Sequence, residues 1–488
     1  MKPWTMVLAL FWVAPVLAGE MAARVADPTR LSALGKRIEQ TGFPPLTWRI
    51  PRVGGEIHRE VLPNGLVVYL YPDRSVPTAH VSLQFKGGSL YETVAEDQVA
   101  SLLGSFIRLG GTRKQTYEEI SEELESLSAS VSPWIGSEAG QVGGRCLKEN
   151  LPRILELIHD TLLEPGFREE KLGLVKKQAK EEILRQRDYP GWVLSTLFGW
   201  KLWGDHPYGR IARVPRIEAI TRQEIENRHR KYAVPNRSYL AIAGDIEVPA
   251  TLGWVRALFG GWPRAGEDLP PAQKVSGSFE AGFYHFEKDI PQANIRLGHL
   301  GSRRINPDEL ALEIMNRILG GEAFKSRLSA RVRSDEGLAY SVGSWFSCDT
   351  LEPASFGCYA ETRNEKAFRT IQIMKETIRE MTEKPPTAEE LKQAKDTVIN
   401  SFIHRWTNAT YAVGQIMQLE IEGYPLDYYG SYIDRVTAIT AEEVLRVSRK
   451  YLHPDQLVIV LVGKRAEFKD LPGDVTLREL TLPPEYMQ

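Results

Sequence analysis

Residues 216–245 read RIEAITRQEIENRHRKYAVPNRSYLAIAGD, and residues 435–464 read RVTAITAEEVLRVSRKYLHPDQLVIVLVGK. The two stretches align without a gap at an offset of 219. Arg216, Ala219, Ile220, Thr221, Glu224, Arg230, Lys231, Tyr232, Pro235 and Gly244 recur as Arg435, Ala438, Ile439, Thr440, Glu443, Arg449, Lys450, Tyr451, Pro454 and Gly463. Each copy carries a threonine followed three residues later by glutamate, the signature of a capping box that opens a helix. A turn containing proline follows, and then an apolar run, Tyr239–Ala243 or Leu457–Val462, closed by glycine. Cap, turn and strand repeat in register, so the chain is read as a duplication with halves of about 200 residues.

Each half also opens alike. In the first, LPNGLVVYLYPD (62–73) is a turn and an alternating strand, AHVSLQFKGGS is a second strand, and a helix is expected from about Asp97 to Leu109. In the second, Phe283–Glu287 and Ala293–His299 are expected strands, with a helix over 307–319. Strands and helices mixed without a G-x-G-x-x-G turn predict an α+β fold, two homologous domains with helices packed on antiparallel-rich sheets. The expected divisions are a first domain at 56–262, a linker rich in Pro, Gly, Ala and Ser at 263–280, a second domain at 281–468 and a tail at 469–488.

At 488 residues the chain is too long for a single core. A formal net charge of −2 gives no electrostatic footprint for nucleic acid, and 42% apolar with 25% charged residues is ordinary for a globular protein. Lys2, the apolar run from Met6 to Leu17 and the small residues before Gly19 form an expected signal peptide, 1–18, ahead of an extension at 19–55. The chain is therefore expected to be exported, periplasmic or secreted. No later segment is long and apolar enough to span a membrane. Export permits disulfides, and Cys348 and Cys358 flank a turn-like DTLEPASFG. Either a bridge or two free thiols fits that spacing, and Cys146 is left without a partner.

The elements LPNGL, GGSLYE, HPYGR (206–210), GG-x-x-F-x-SRL (320–328), GLAYSVGS (337–344) and GYPLDYYGSY (423–432) occur in one order along the chain. With them residues 56–468 resemble the M16 (pitrilysin or insulinase) peptidases, in the group whose two-domain chains pair into a four-domain chamber. In catalytic members the helix of the first domain carries H-x-x-E-H. Histidines four apart share a helix face and can share a metal, and the glutamate takes a proton from the metal-bound water. Aligned on GGSLYE and GGT, the motif falls in DQVASLLGSFIRLGGT (97–112) on Ser101, Gly104 and Ser105. A hydroxyl is a poor zinc ligand and glycine offers no base. The position of the third ligand falls on Glu182, which alone cannot hold zinc. No two of the nine histidines lie four residues apart. Glu156 and His159 read as a solvated helix face, His206 as a turn-fixing residue, and Ser101 and Ser105 have no G-x-S-x-G context.

The resemblance also implies an arginine and a tyrosine, seven residues apart, that reach from the second domain to the substrate. RVRSDEGLAY places them at Arg333 and Tyr340, with Arg327 and Arg331 excluded by spacing to GLAY. Taken without the resemblance, Arg333 reads as a helix-end cap and Tyr340 as a half-buried strand aromatic. Gly320 and Gly321 are expected to let a peptide backbone approach closely. The resulting expectation is a subunit with no cofactor of its own, inactive alone. A partner subunit with an intact H-x-x-E-H would hold zinc, and the substrate would be a peptide or unfolded polypeptide. The rivals are a non-hydrolytic peptide-binding or scaffold protein, and an independent metallopeptidase using Glu182 with a histidine from elsewhere.

Overall fold

The computed structural model describes Arg37 and residues 49–482. The expected signal peptide, most of the 19–55 extension and the end of the tail lie outside the described residues. Among the described residues no helix is long and apolar enough to cross a membrane.

In the first half the elements run β1 (His58–Val61), β2 (Val67–Pro72), β3 (Thr78–Lys86), α1 (Val99–Gly110), α2 (Tyr117–Ser126), β4 (Ser130–Ile135), β5 (Ala139–Leu147) and α3 (Leu151–Leu163). After these come α4 (Glu169–Gln186), α5 (Pro190–Trp203), α6 (Val214–Ala219), α7 (Arg222–Tyr232), β6 (Ser238–Gly244) and α8 (Val248–Phe259). The second half runs β7 (Gly282–Glu287), β8 (Gln292–Leu300), β9 (Ser302–Arg303), α9 (Glu309–Asn316), β10 (Ala339–Phe346), β11 (Cys348–Asp349) and β12 (Ser355–Arg363). It ends with α10 (Ala367–Glu383), α11 (Ala388–Phe402), α12 (Ala409–Glu422), α13 (Tyr432–Ala438), α14 (Ala441–Tyr451), β13 (Val458–Gly463) and β14 (Leu477–Glu479).

Strand order is β1-β2-β6-β3-β5-β4 in one sheet and β14-β7-β13-β8-β12-β10 in the other. The parallel pair β2–β6 has its counterpart in β7–β13, and β3 and β8 run antiparallel to them. Both capping boxes form: Glu224 N–H donates to Thr221 Oγ1 at 3.3 Å and Glu443 N–H to Thr440 Oγ1 at 3.2 Å. The helix expected over 97–109 starts two residues later. The one expected over 307–319 is α9, which gives way to a π-turn over Arg317–Gly321.

The core interlocks the halves. One face of the first sheet packs on α3 and α8 through Val68, Leu70, Val81, Leu83 and Ile242. Its other face, with Val67, Tyr69, Ala241 and Ala243, is covered by α12 of the second half through Val413, Ile416 and Met417. The second sheet is the mirror case. Ile295, Leu297 and Leu461 face its own helices, whereas Val458, Val460 and Val462 face α5 of the first half through Val193, Leu194, Leu197 and Phe198. The two exchanged helices, Pro190–Trp203 and Ala409–Glu422, stand at the same offset of 219 that relates the repeats. Glu420 pins the exchange, accepting from Tyr69 Oη and from Arg59 at 2.9 and 2.5 Å.

The Cys348–Cys358 bridge does not form; all three cysteines are free. Register explains it. The β10–β12 pairing ends at Phe346↔Phe356, Cys358 lies opposite Ser344, and Cys348 has left the hairpin to pair with Ser302 on β9.

Candidate functional site

Helix α1 has no side-chain N-cap: Gln98 enters it with a φ of +70°. Its first turn is tied instead by Glu92, which accepts from Ala100 N–H at 2.5 Å. Burial pushes the Glu92 carboxyl up to about 7, although Arg228 lies 3.9 Å away. Glu92 was not singled out from the sequence, and only its place at the end of GGSLYE signals it.

The positions that would carry H-x-x-E-H lie along one stripe of this helix. Ser101, Gly104 and Ser105, with Ser89 and Arg108, line a cavity of about 390 Å³ whose far wall is Pro133, Trp134 and Ile135 of the edge strand β4 and the Gly136 that follows it. A Cβ on Gly104 would come 3.3 Å from Ile135 N, so helix and strand approach too closely for a large side chain without movement. Glu182 sits half-buried on α4 and does not line the cavity; Arg185 and Gln186 engage its carboxylate, the latter at 2.9 Å. Hydroxyls and a guanidinium do not make a zinc donor set. Among the described residues no group of three His, Cys, Asp or Glu could hold a metal ion.

Arg333 lies in the last turn of a π-helix, Ser329–Asp335. Gly337 follows with a φ of +59°, a conformation that favours glycine, and turns the chain into β10. The ladder with β12 shifts between Ala339 and Ser341, which leaves Tyr340 out of the pairing and 83% exposed. The Arg333 guanidinium stands 4.6 Å from the ring centres of both Tyr340 and Phe324, and Phe324 is 71% exposed. Phe324 is a third member that the sequence offered only as part of GG-x-x-F-x-SRL. The neighbouring arginines are committed elsewhere: Arg327 to Glu390 at 2.6 Å, and Arg331 to Glu380 at 3.2 Å. Arg333 has no carboxylate partner among the described residues. Guanidinium and phenol hydroxyl therefore face solvent together, ready to donate to an acceptor from outside.

Gly320 does not present itself to a peptide. It is buried, and a Cβ there would meet Ser344 N at 2.6 Å and Leu328 Cδ1 at 2.7 Å, so the close approach it permits is to the chain's own strand β10. Gly321 is exposed beside Asn316. His206 is buried, bonded through Nε2 to Gln273 O at 2.7 Å and accepting from Tyr208 N–H at 3.3 Å, which fixes the HPYGR turn against residues 263–280. Among the described residues, none of the second half lines the α1 cavity.

Two family profiles match the chain, "Insulinase (Peptidase family M16)" over residues 67–215 and "Peptidase M16 inactive domain" over residues 219–398. An "uncharacterized zinc protease" of Rickettsia felis is 25% identical over 398 residues, covering 80% of this chain and 93% of the relative. A "probable mitochondrial-processing peptidase subunit beta" of Arabidopsis thaliana is 22% identical over 441 residues, covering 86% of this chain and 80% of the relative. A crystal structure described as a peptidase M16 inactive domain, from Pseudomonas fluorescens, superposes with a TM-score of 0.79 at 25% identity, covering 85% of this chain and all of its own.

Proposed function

This chain belongs to the M16 (insulinase) peptidase family, and on that premise we propose that it is the zinc-free subunit of a paired peptidase, exported from the cytoplasm by its N-terminal signal. The partner, a chain with an intact H-x-x-E-H, holds the metal and the general base. This chain supplies Arg333 and Tyr340. As a peptide bond is attacked its carbonyl oxygen gains negative charge, and a guanidinium and a phenol placed beside it donate hydrogen bonds that strengthen as that charge grows. The substrate is a peptide or unfolded segment able to enter the chamber between the two chains.

One observation carries the reading: a helix stripe without a metal donor coexists with an arginine that has no carboxylate partner, held between two exposed aromatic rings. A residue serving only as a helix-end cap would not need Tyr340 bulged out of its ladder. The relative named as a processing-peptidase subunit supports the pairing by analogy.

The test is co-expression with a candidate H-x-x-E-H chain, with cleavage of an unstructured peptide measured for each chain alone and for the mixture. Activity is expected only in the mixture, and Arg333→Ala is expected to lower it on the order of 10²–10³-fold. Full activity of the mixture with Arg333→Ala would remove the catalytic contribution and leave a scaffold. Chelator-sensitive activity of the lone chain would remove the division of labour.

A further inference from the structure

On the face of the second sheet that α5 covers only in part, a half-buried arginine stands at the border of the cover. Strand register puts Gly343 of β10, Tyr359 of β12, Arg296 of β8 and Val460 of β13 in one row. Val460 lies under α5, whereas Tyr359, on the other side of Arg296, is 39% exposed. The Arg296 guanidinium carbon is 5.7 Å from the ring centre of Phe198 on α5 and 4.9 Å from that of Trp345 on β10. Among the described residues no hydrogen bond or ion pair reaches this guanidinium. Its Nε is sealed from solvent without an acceptor, and its two terminal nitrogens are not sealed. Burial lowers the Arg296 pKa, and no neighbouring carboxylate raises it again.

For the fold alone that arrangement is costly. Aromatic faces attract a cation, but they give the N–H groups of a guanidinium no directed acceptor. A charge drawn part-way out of water without a partner weakens folding, and an apolar side chain of similar length would fill the space between the rings without that cost. Glu361 is exposed on the same face, diagonal to Arg296 through the Glu361↔Asn294 pair, yet it makes no ion pair with it. The neighbouring rings also leave the head of Arg296 open. Gly357 lets Trp345 lie across β12, since a Cβ there would collide with the indole. Tyr359 leans the other way, over Gly343, where a Cβ would come 2.8 Å from its Oη. Neither its ring nor its hydroxyl caps the guanidinium.

From this we infer that Arg296 is a specificity residue, which receives an acidic side chain, aspartate or glutamate, of the polypeptide that this chain binds. A carboxylate brings the paired acceptors that a guanidinium fork matches, and the rings beside it hold water back and strengthen the pair. Tyr340 lies three residues before Gly343 on β10, and Arg296 lies two strand spacings beyond Gly343, so the two backbones are roughly 14 Å apart. An extended peptide covers that span in about four residues. The acidic residue therefore falls close to the bond that Tyr340 faces. This subsite rests on the proposed reading that a polypeptide substrate meets this chain, and it adds a side chain that the substrate carries.

Isothermal titration of the lone full chain tests the subsite without a partner subunit, whereas the proposed catalytic role stands or falls on the activity of the mixture. The probes are an unstructured, acetylated and amide-ended peptide with a single glutamate, and the same peptide with glutamine in its place. The glutamate peptide is expected to bind about tenfold more tightly. Arg296→Met, which keeps a side chain between the rings and removes the charge, is expected to abolish that preference and to unfold in urea at a midpoint no lower than the wild type's. Arg333→Ala is expected to keep the preference. Equal binding of the two peptides, binding of neither, a preference that survives Arg296→Met, a midpoint lowered by Arg296→Met, or a preference abolished by Arg333→Ala would each overturn the assignment.

Discussion

His299 on β8 is expected to make this protein's stability fall in mild acid. It is buried between Phe356 and His453, its ring 4.8 and 4.9 Å from theirs. Nδ1–H donates to Leu300 O at 2.7 Å, and Nε2 accepts from His453 N–H at 3.1 Å, so only the neutral imidazole satisfies both bonds. Burial pushes its pKa down to about 4 from 6.5. Between these values the unfolded chain binds the proton and the folded chain does not, so stability is complete above pH 6.5 and is lost as pH falls towards 4. From pH 7.5 to pH 5 the loss is about 2 kcal/mol. Other groups titrate in the same window, so the measurement is a difference: urea unfolding of the wild type against His299→Gln at a series of pH values. Glutamine can give and accept the same two bonds without titrating. The wild type's advantage over His299→Gln is expected to shrink by about 2 kcal/mol across the window. A difference independent of pH would refute the assignment of a neutral, acceptor-bearing His299.

Gly320→Ala is expected to cost about 1–3 kcal/mol, because its Cβ would press on the backbone of Ser344 and on Leu328; unchanged urea unfolding would show that the π-turn does not abut β10. Leu197→Ala removes a fully buried side chain from α5 and is expected to cost about 2–5 kcal/mol. Because α5 covers the other half's sheet, that loss should shift one common unfolding transition, and two separating transitions in calorimetry would contradict the interlock.

The duplication was legible because capping boxes and glycine-closed strands are local signals, each set within about ten residues by the backbone's own hydrogen-bonding needs. Arg333 and Tyr340 were picked out by spacing and resemblance, the structure sets the guanidinium 4.6 Å from the Tyr340 ring, and the Gly337 turn between them followed from glycine's freedom. Other features depend on which distant segments meet. The choice between a bridge and two free thiols at Cys348 and Cys358 was settled by a register that places Ser344 opposite Cys358, which no count along the chain supplies. The reading of Gly320 failed for a related reason: a glycine marks a close approach without naming what approaches. The exchange of α5 and α12 left one trace, the near absence of polar residues around PGWVLSTLFGWKLW, which a helix with one solvated face would not tolerate. The ring of Phe324 against Arg333, and Arg108 facing Trp134 across a cavity, are products of the assembled fold alone.

The exchanged helices set a constraint on biosynthesis. When synthesis has reached Phe259, every strand of the first sheet exists, yet the cover for Val67, Tyr69, Ala241 and Ala243 has not been made and will not be until the chain passes Glu422. An oily β surface must wait, bare, for more than a hundred residues of further elongation. Chaperone dependence during production, and insolubility of any fragment ending between the halves, follow from that delay.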